Sequence, residues 1–391
     1  MNILFYLHQF PAFGGIETVT ATWANYLASC GHRVWIVSHK ESPQSCLALK
    51  LDSNVHVQHV PGRKWVCAEN RALLEQVAER EKIDVVVFQD SYARIERNLD
   101  GLWNRLPVVV CEHNAPLCES PSRLEQLSPR ALLLWVYRRW FKALLEARRK
   151  RRLYARCNTY VLLSSRFYGE FRAITQIVDW RKLREMPNPV SPVFLGDRCE
   201  TREPFLEKEK IVLCSATLTY LKGQDILLRV WEKIAPHSPD WRLVFAGDGP
   251  DRANLEAYVR ERRIPRVEFL GYVGDMKPLY ARASILAASS RREGWQLVLH
   301  EAMSQGCVPV AFNSYSAVYD VVEDERNALI IPSFDEEAFG RGLSRLMFDS
   351  DRLHTLGRAA IEKARSFDVP HLAEKMMTLL ETAAKPKVGA R

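Results

Sequence analysis

Two doubly wound, Rossmann-like parallel-sheet domains are predicted for this chain on three observations. Short apolar runs rich in branched residues alternate with helix-like stretches. The alternation stops and then restarts once. A proline-rich, poorly periodic segment separates the two series. Helices that cover both faces of a parallel sheet leave its strands reading as continuous apolar runs, which is the pattern here. The length of 391 residues suits two such domains.

In the first series the strand-like runs are NILFYL at 2, RVWIVS at 33, VHVQHV at 55, IDVVVF at 83, PVVVCE at 107 and TYVLLS at 159. The second series is KIVLCS at 210, WRLVFA at 241, VEFLG at 267, ASILAA at 283, VPVAF at 308 and ALIIP at 328. Between them MPNPVSPVFLGDRCETREP, residues 186–204, carries four prolines and a charged tail. The expected organisation is a first domain over 1–190, a linker over 191–205 and a second domain over 206–370. Only the closing residues AAKPKVGAR read as unstructured.

With 47% hydrophobic and 26% charged residues the composition is that of a globular protein, which excludes disordered and fibrous classes. MNILFYLHQF begins directly with a strand-like run and shows no export signal. The apolar run ALLLWVY at 131–137 is far short of the ~20 residues a spanning helix needs. Nine cysteines are scattered singly, and Cys111, Cys214 and Cys307 sit inside apolar runs, so reduced structural thiols and a cytoplasmic location are expected. A formal charge of +8 favours nucleic acid, anionic lipid or a phosphorylated substrate, and its placement decides among them.

Ligands of open parallel sheets bind beyond the carboxyl ends of the strands, so the residues just after each strand matter most. After the first run, Gly14 and Gly15 precede a helix whose free amides suit a diphosphate; a plain tight turn accounts for them equally well. The spacing is not G-x-G-x-x-G, and no GxxxxGK[ST] loop occurs. His113 ends the fifth run, where it could donate to a substrate hydroxyl or be bonded within its own turn. Lys222 lies just ahead of a helix N-terminus, opposed to the dipole, where a bound anion would relieve the mismatch; a surface lysine is the alternative. In RREGWQLVLHEAMSQGCVP, residues 291–309, a helix is predicted from Gln296 with Leu297, Val298, Ala302 and Met303 on one face and Glu301 set into it. A buried carboxylate requires a protein partner or a ligand, and a second acid, Glu293, stands just before that helix.

The ordered set GGIE, EHN, LxxxKG, GDGP and E-x7-E from Glu293 to Glu301, within SxxEGxxLVxxEAMxxGxxPVAF, resembles the retaining glycosyltransferases of family 4 over nearly the whole chain. The resemblance implies a GT-B architecture: two facing Rossmann-like domains with a cleft, and a C-terminal helix, here 371–384, returning to the first domain. By it Glu301 bonds the donor ribose, Glu293 lies near the transferred sugar, and His113 contacts that sugar. Lys222, Gly14, Gly15 and the helix start at Gly294, Trp295 and Gln296 hold the diphosphate. One position departs from the pattern. The arginine the family carries five residues before the lysine is Thr217 here, after Ala216, and a hydroxyl cannot replace a charged fork; Arg291 or Arg292 is the candidate substitute.

Asp349-Ser350-Asp351 matches the D-x-D metal motif of the other major transferase fold, but Asp351 reads as the cap of RLHTLGRAAIEKA, and no metal or other cofactor is expected. The charge is concentrated at 138–156, RRWFKALLEARRKRRLYAR, with nine basic residues against one acid. Arg138, Arg139, Trp140, Phe141, Arg148, Arg149, Arg151 and Arg152 make this a candidate anionic-membrane and acceptor surface; a solvated helix face is the alternative. No nucleic-acid motif accompanies it. The expectation is therefore a cytoplasmic, membrane-peripheral transferase using a nucleotide-sugar donor and a glycan or lipid-linked acceptor, in cell-surface polysaccharide or lipopolysaccharide assembly. The rivals are a nucleotide-sugar epimerase and a catalytically weak glycan- or lipid-binding protein.

Overall fold

The computed structural model describes residues 1–12, 14–40, 50–90, 94–116, 129–195 and 208–385, with the backbone alone from 129 to 140. The chain divides into two compact units, Met1–Pro189 with Val369–Arg391, and Val190–Asp368. Each is a parallel sheet covered by helices, the fold class the alternating pattern predicts.

In the first unit β1 (Asn2–Gln9), β2 (Arg33–Lys40), β3 (Val55–His59), β4 (Val85–Asp90), β5 (Val108–Glu112), β6 (Thr159–Leu162) and β7 (Leu183–Glu185) pair in the order β3-β2-β1-β4-β5-β6-β7. All pairings are parallel, with Ile3 beside both Val34 and Val85. The six residues of β4 are all buried, as a central strand covered on both faces requires. Its last two, Gln89 and Asp90, are polar and buried, so their partners become part of the site described below. The last helix, Val369–Ala384, packs on the helix Gly15–Ser29 and on β4 and β5.

The second unit contains β8 (Glu209–Ser215), β9 (Arg242–Ala246), β10 (Val267–Gly271), β11 (Ala283–Ala288), β12 (Val308–Phe312) and β13 (Leu329–Ile331), ordered β10-β9-β8-β11-β12-β13. Its core is built on Trp231, Phe245, Phe312 and Phe339, all fully or almost fully buried. Each of the twelve predicted runs is a strand; β7 is additional. Within the expected linker, Pro192–Leu195 form a short helix with Phe194 packed on Tyr280, and 196–205 lie outside the described residues. No described helix is long and apolar enough to cross a membrane. None of the described cysteines is in a disulfide, and Cys157, Cys214 and Cys307 are buried.

Candidate active site

Strand order reverses between β8 and β11 in the second sheet, so a ligand crevice is expected beyond the carboxyl ends of those two strands. The chain places its charged groups there. After β8 the short helix Tyr220–Lys222 ends on Gly223, whose φ of 70° is left-handed. A Cβ at Gly223 would lie 2.0 Å from the Ser289 carbonyl oxygen, so glycine alone lets this turn rest against the end of β11. The close approach puts Lys222 Nζ 2.6 Å from Oε1 of Glu293, which follows β11. Gln296 Nε2 donates to the same Glu293 oxygen at 3.1 Å and to Ser290 Oγ at 2.9 Å, while Tyr315 Oη donates to Gln296 Oε1 at 3.3 Å. Glu293 is thereby oriented from two sides.

This revises the reading of Lys222. Its charge is met by the protein's own Glu293, and the helix Gln224–Ile234 carries its own acid, Asp225, in the first turn. Arg291 is also accounted for: its two terminal nitrogens donate to the Asp225 carboxylate at 2.6 and 2.7 Å, one also reaches the Tyr220 carbonyl at 2.7 Å, and the guanidinium lies 3.9 Å from the Tyr220 ring centroid. A fork committed in this way does not substitute for the arginine absent at Thr217. Thr217 itself is exposed, and its carbonyl accepts from Gln224 Nε2 at 3.0 Å.

Glu301 lies on the helix Leu297–Ser304, and its environment corrects the predicted face. The buried residues are Leu299, His300, Ala302 and Met303, whereas Leu297, Val298 and Glu301 are partly exposed. Tyr280 Oη is 3.0 Å from Glu301 Oε2 and 3.0 Å from Ser215 Oγ. A phenol carries one proton, so Tyr280 donates to the carboxylate and accepts from Ser215. The other Glu301 oxygen has no partner among the described residues. The protein therefore satisfies half of this carboxylate, and burial raises its pKa from 4.5 to about 7. Trp295 is 7% exposed and packs edge-on against His300 and Phe367, so its ring is core and only its backbone is available to a ligand. The first amides of the helix, at Leu297 and Val298, have no intrahelical acceptor.

Glu301→Gln is expected to weaken nucleotide binding at least tenfold without loss of fold. A group whose folded pKa lies above its unfolded value opposes folding as pH rises through that interval, so the amide removes a penalty between about pH 4.5 and 7. The melting temperature of the variant relative to wild type should therefore rise from pH 5 to pH 8. A variant that melts lower at pH 8 than at pH 5, relative to wild type, or that keeps nucleotide affinity, counts against this assignment.

In the first unit the strand order reverses between β1 and β4. Gly14 and Gly15 are exposed and open the helix Gly15–Ser29, but the Glu17 carboxylate folds back over Gly14, with its Oε2 2.1 Å from where a Cβ of Gly14 would stand. Burial raises Glu17 to about 7. An anion at this helix end would have to displace or protonate Glu17, which the pair of glycines does not reveal. His113 follows β5, and its Nε2 pairs with Gln89 Oε1. Burial lowers it to about 4, so the imidazole is neutral near pH 7. With Nε2 donating to Gln89, the buried Nδ1, which has no partner among the described residues, is an acceptor, where the sequence led to the expectation of a donor.

The basic helix is Pro129–Arg156, and the side chains of Arg138, Arg139 and Trp140 lie outside the described residues. Phe141, Arg148, Arg151 and Arg152 are exposed, but Arg151 donates to the Thr175 carbonyl. Arg149 is 8% exposed and bridges Asp90 and Glu96, and Lys150 is paired with Glu112, which also accepts from Tyr160. Two of the nine charges thus point inward, and Arg149 is no part of a solvent-facing surface. Asp349, not Asp351, caps the helix Ser350–Arg365, accepting from the Arg352 amide at 2.9 Å. Among the described residues, no cluster of three or more His, Cys, Asp or Glu could hold a metal ion.

Residues 13–194 match Glycosyltransferase Family 4 and residues 198–363 match Glycosyl transferases group 1. A Campylobacter jejuni protein named GalNAc-alpha-(1->4)-GalNAc-alpha-(1->3)-diNAcBac-PP-undecaprenol alpha-1,4-N-acetyl-D-galactosaminyltransferase is 27% identical over 49% of this chain and 53% of its own. The chain spans about half the length of the curated relatives it matches. Two solved structures share the fold: sucrose-phosphate synthase from Thermosynechococcus elongatus, with TM-score 0.74, 16% identity, and 97% and 98% of the two chains covered, and Anabaena Alr3699/HepE in complex with UDP and glucose, with TM-score 0.71, 18% identity, and 98% and 100% covered.

Proposed function

The chain belongs to the family 4 and group 1 glycosyltransferases of GT-B type, and from that premise we propose that it moves a sugar from a nucleotide-diphosphate donor to a glycan or lipid-linked acceptor with retention at the anomeric carbon. The observation that carries the reading is the placement of the Lys222–Glu293 pair and the half-satisfied Glu301 at the carboxyl ends of β8 and β11. Breaking a sugar–phosphate bond puts negative charge on the departing diphosphate. Lys222 and the amides at Leu297 and Val298 receive that charge, and Glu293 and Gln296 fix where Lys222 points. The open oxygen of Glu301 takes the ribose hydroxyls. Glu293 positions the transferred sugar and is not assigned as a nucleophile; in the first unit neutral His113 offers Nδ1 as an acceptor for a hydroxyl.

Two printed names support this substrate class. The Campylobacter relative is a transferase named for a diphosphate-undecaprenol glycan, and the Anabaena structure holds UDP and glucose. The first supports the reading of a lipid-linked acceptor and, with it, a place in surface polysaccharide or lipopolysaccharide assembly. Exposed Phe141 and Lys142 on the basic helix are consistent with peripheral attachment at the cytoplasmic membrane face.

The test is a thermal-shift screen with UDP, GDP, ADP and CDP sugars, followed by turnover of the sugar that binds. One nucleotide series should raise the melting temperature, because a ligand that binds only the folded state stabilises it. Since the diphosphate is met by a lysine and amides, EDTA should leave most of the turnover in place. Loss that manganese or magnesium restores would overturn the metal-independent mechanism. Free epimerised sugar released without acceptor would identify the epimerase instead, and binding without turnover would identify the binding protein.

A further inference from the structure

We propose that the first unit contains a second anion site, an arginine-lined pocket that binds the phosphate or diphosphate group of the acceptor. Naming the ligand an acceptor rests on the transferase reading; the anion chemistry does not. The pocket measures about 540 Å³, inside the roughly 300–1,000 Å³ range of ligand sites. Five arginines and a single carboxylate, Glu96, line it, with Trp65 at one side.

The state of each guanidinium decides what the pocket can do. Arg149 is buried and spent on Asp90 and Glu96, and Arg94 is paired with Glu146 at 2.6 Å. Arg97, Arg148 and Arg152 are exposed and have no hydrogen-bond or ionic partner among the described residues. Arg148 and Arg152 are four residues apart on the helix Pro129–Arg156, so they share its face with Leu145 and Arg149, and Arg97 comes from the short helix Ile95–Leu99. A smaller pocket of about 120 Å³ shares Glu96, Arg97 and Arg152 and adds Trp103 and Asp100, the latter paired with Arg156 at 2.6 Å.

Three guanidiniums without a partner among the described residues stand around one cavity, and its single carboxylate, Glu96, is already bonded to Arg149. Each presents a planar fork of donors that matches phosphate oxygens two at a time. Arg149 cannot rearrange to join them without leaving two buried carboxylates unpaired. Trp65 is 40% exposed, with its ring 4.1 Å from the His8 ring, and offers an aromatic surface beside the charges for an apolar or sugar moiety attached to the phosphate. A phosphate bearing such a group fits this combination better than a bare anion does. The same chemistry could come from a membrane headgroup, and the experiment separates the two sources.

Binding of inorganic pyrophosphate to the full chain is measured by calorimetry in a Lys222→Ala background, so that the donor site contributes no cation, and again with Arg97→Gln, Arg148→Gln and Arg152→Gln added. The expected result is saturable binding that weakens with salt and falls at least tenfold in the arginine variant, with farnesyl diphosphate competing for the same site. Phosphatidylglycerol vesicles should not displace the pyrophosphate. The three side chains make no hydrogen bond or ion pair among the described residues, so an unchanged melting temperature is expected, and the single Arg97→Gln variant provides a milder version of the same comparison. Pyrophosphate affinity within twofold of the background in the arginine variant overturns the site. Vesicle binding lost in a protein that never bound pyrophosphate saturably overturns it in favour of a membrane-headgroup surface. Nucleotide binding, followed separately with Lys222 intact, reports on the donor reading alone, so failure of one result is distinguishable from failure of the other.

Discussion

Replacing Lys222 with alanine is expected to slow sugar transfer about 10²- to 10³-fold, the scale for removing one preorganised donor to a developing charge. Lys222 is the cation that the end of β8 aims at Glu293, and its side chain is 31% exposed, so truncation opens no cavity. The effect should fall mainly on kcat, because the charge on the diphosphate grows as the glycosidic bond breaks and any interaction with it is stronger in the transition state than in the bound donor. Glu293, 11% exposed, would lose its ion partner but keep Gln296, so the protein should still fold. Lys222→Gln, which keeps a hydrogen bond without the charge, should resemble alanine, and Lys222→Arg should restore part of the rate. A loss below tenfold, or an effect confined to KM, would remove Lys222 from the leaving-group role.

The sheets were legible because their strands are covered on both faces and so leave unbroken apolar runs, as in Val85–Asp90. β7 was not, because Leu183, Arg184 and Glu185 bury one side chain among them, and Glu185 is spent on Lys375 of the last helix at 2.7 Å. Periodicity reports burial along one element but not what stands across from it. Lys222 and Glu293 are 71 residues apart and Arg291 and Asp225 are 66 apart, joined only because β8 and β11 are neighbours. Glu301 stood out in the sequence as an acid among apolar residues, yet its partner Tyr280 lies 21 residues earlier on a separate short helix. The cap of the helix Ser350–Arg365 was misplaced by two residues, since either aspartate satisfies the preference and only backbone geometry selects Asp349. Counting charges on 138–156 gave the net sign correctly, but not which charges turn inward to meet the polar ends of β4 and β5.

That inward turn has the largest expected effect on stability. Arg149→Ala should destabilise the first unit by roughly 3–5 kcal/mol, the range for breaking a buried ion pair by removing one partner. Arg149, Asp90 and Glu96 have side chains 9%, 6% and 9% exposed, so the two carboxylates left behind could not recover water without opening the carboxyl end of β4. The loss should depend on pH in a definite direction. Burial raises Asp90 from 3.8 to about 6, against the pull of Arg149, so its charge already opposes folding as pH rises through that interval. Without the guanidinium the value moves higher and the penalty extends to higher pH. The difference between variant and wild type should therefore be widest above pH 7 and narrow as pH falls below about 6, read as the midpoint of the first urea transition, with the two units treated as separate transitions. Combining Arg149→Met with Asp90→Asn and Glu96→Gln removes the three buried charges of this bridge and leaves Glu146 to Arg94, so it should recover most of the stability, because a buried ion pair replaced by neutral groups of similar size is often no less stable. A loss below about 1 kcal/mol on Arg149→Ala, or one that does not change with pH, would mean that these carboxylates reach solvent or another cation and that Arg149 does not hold the end of β4.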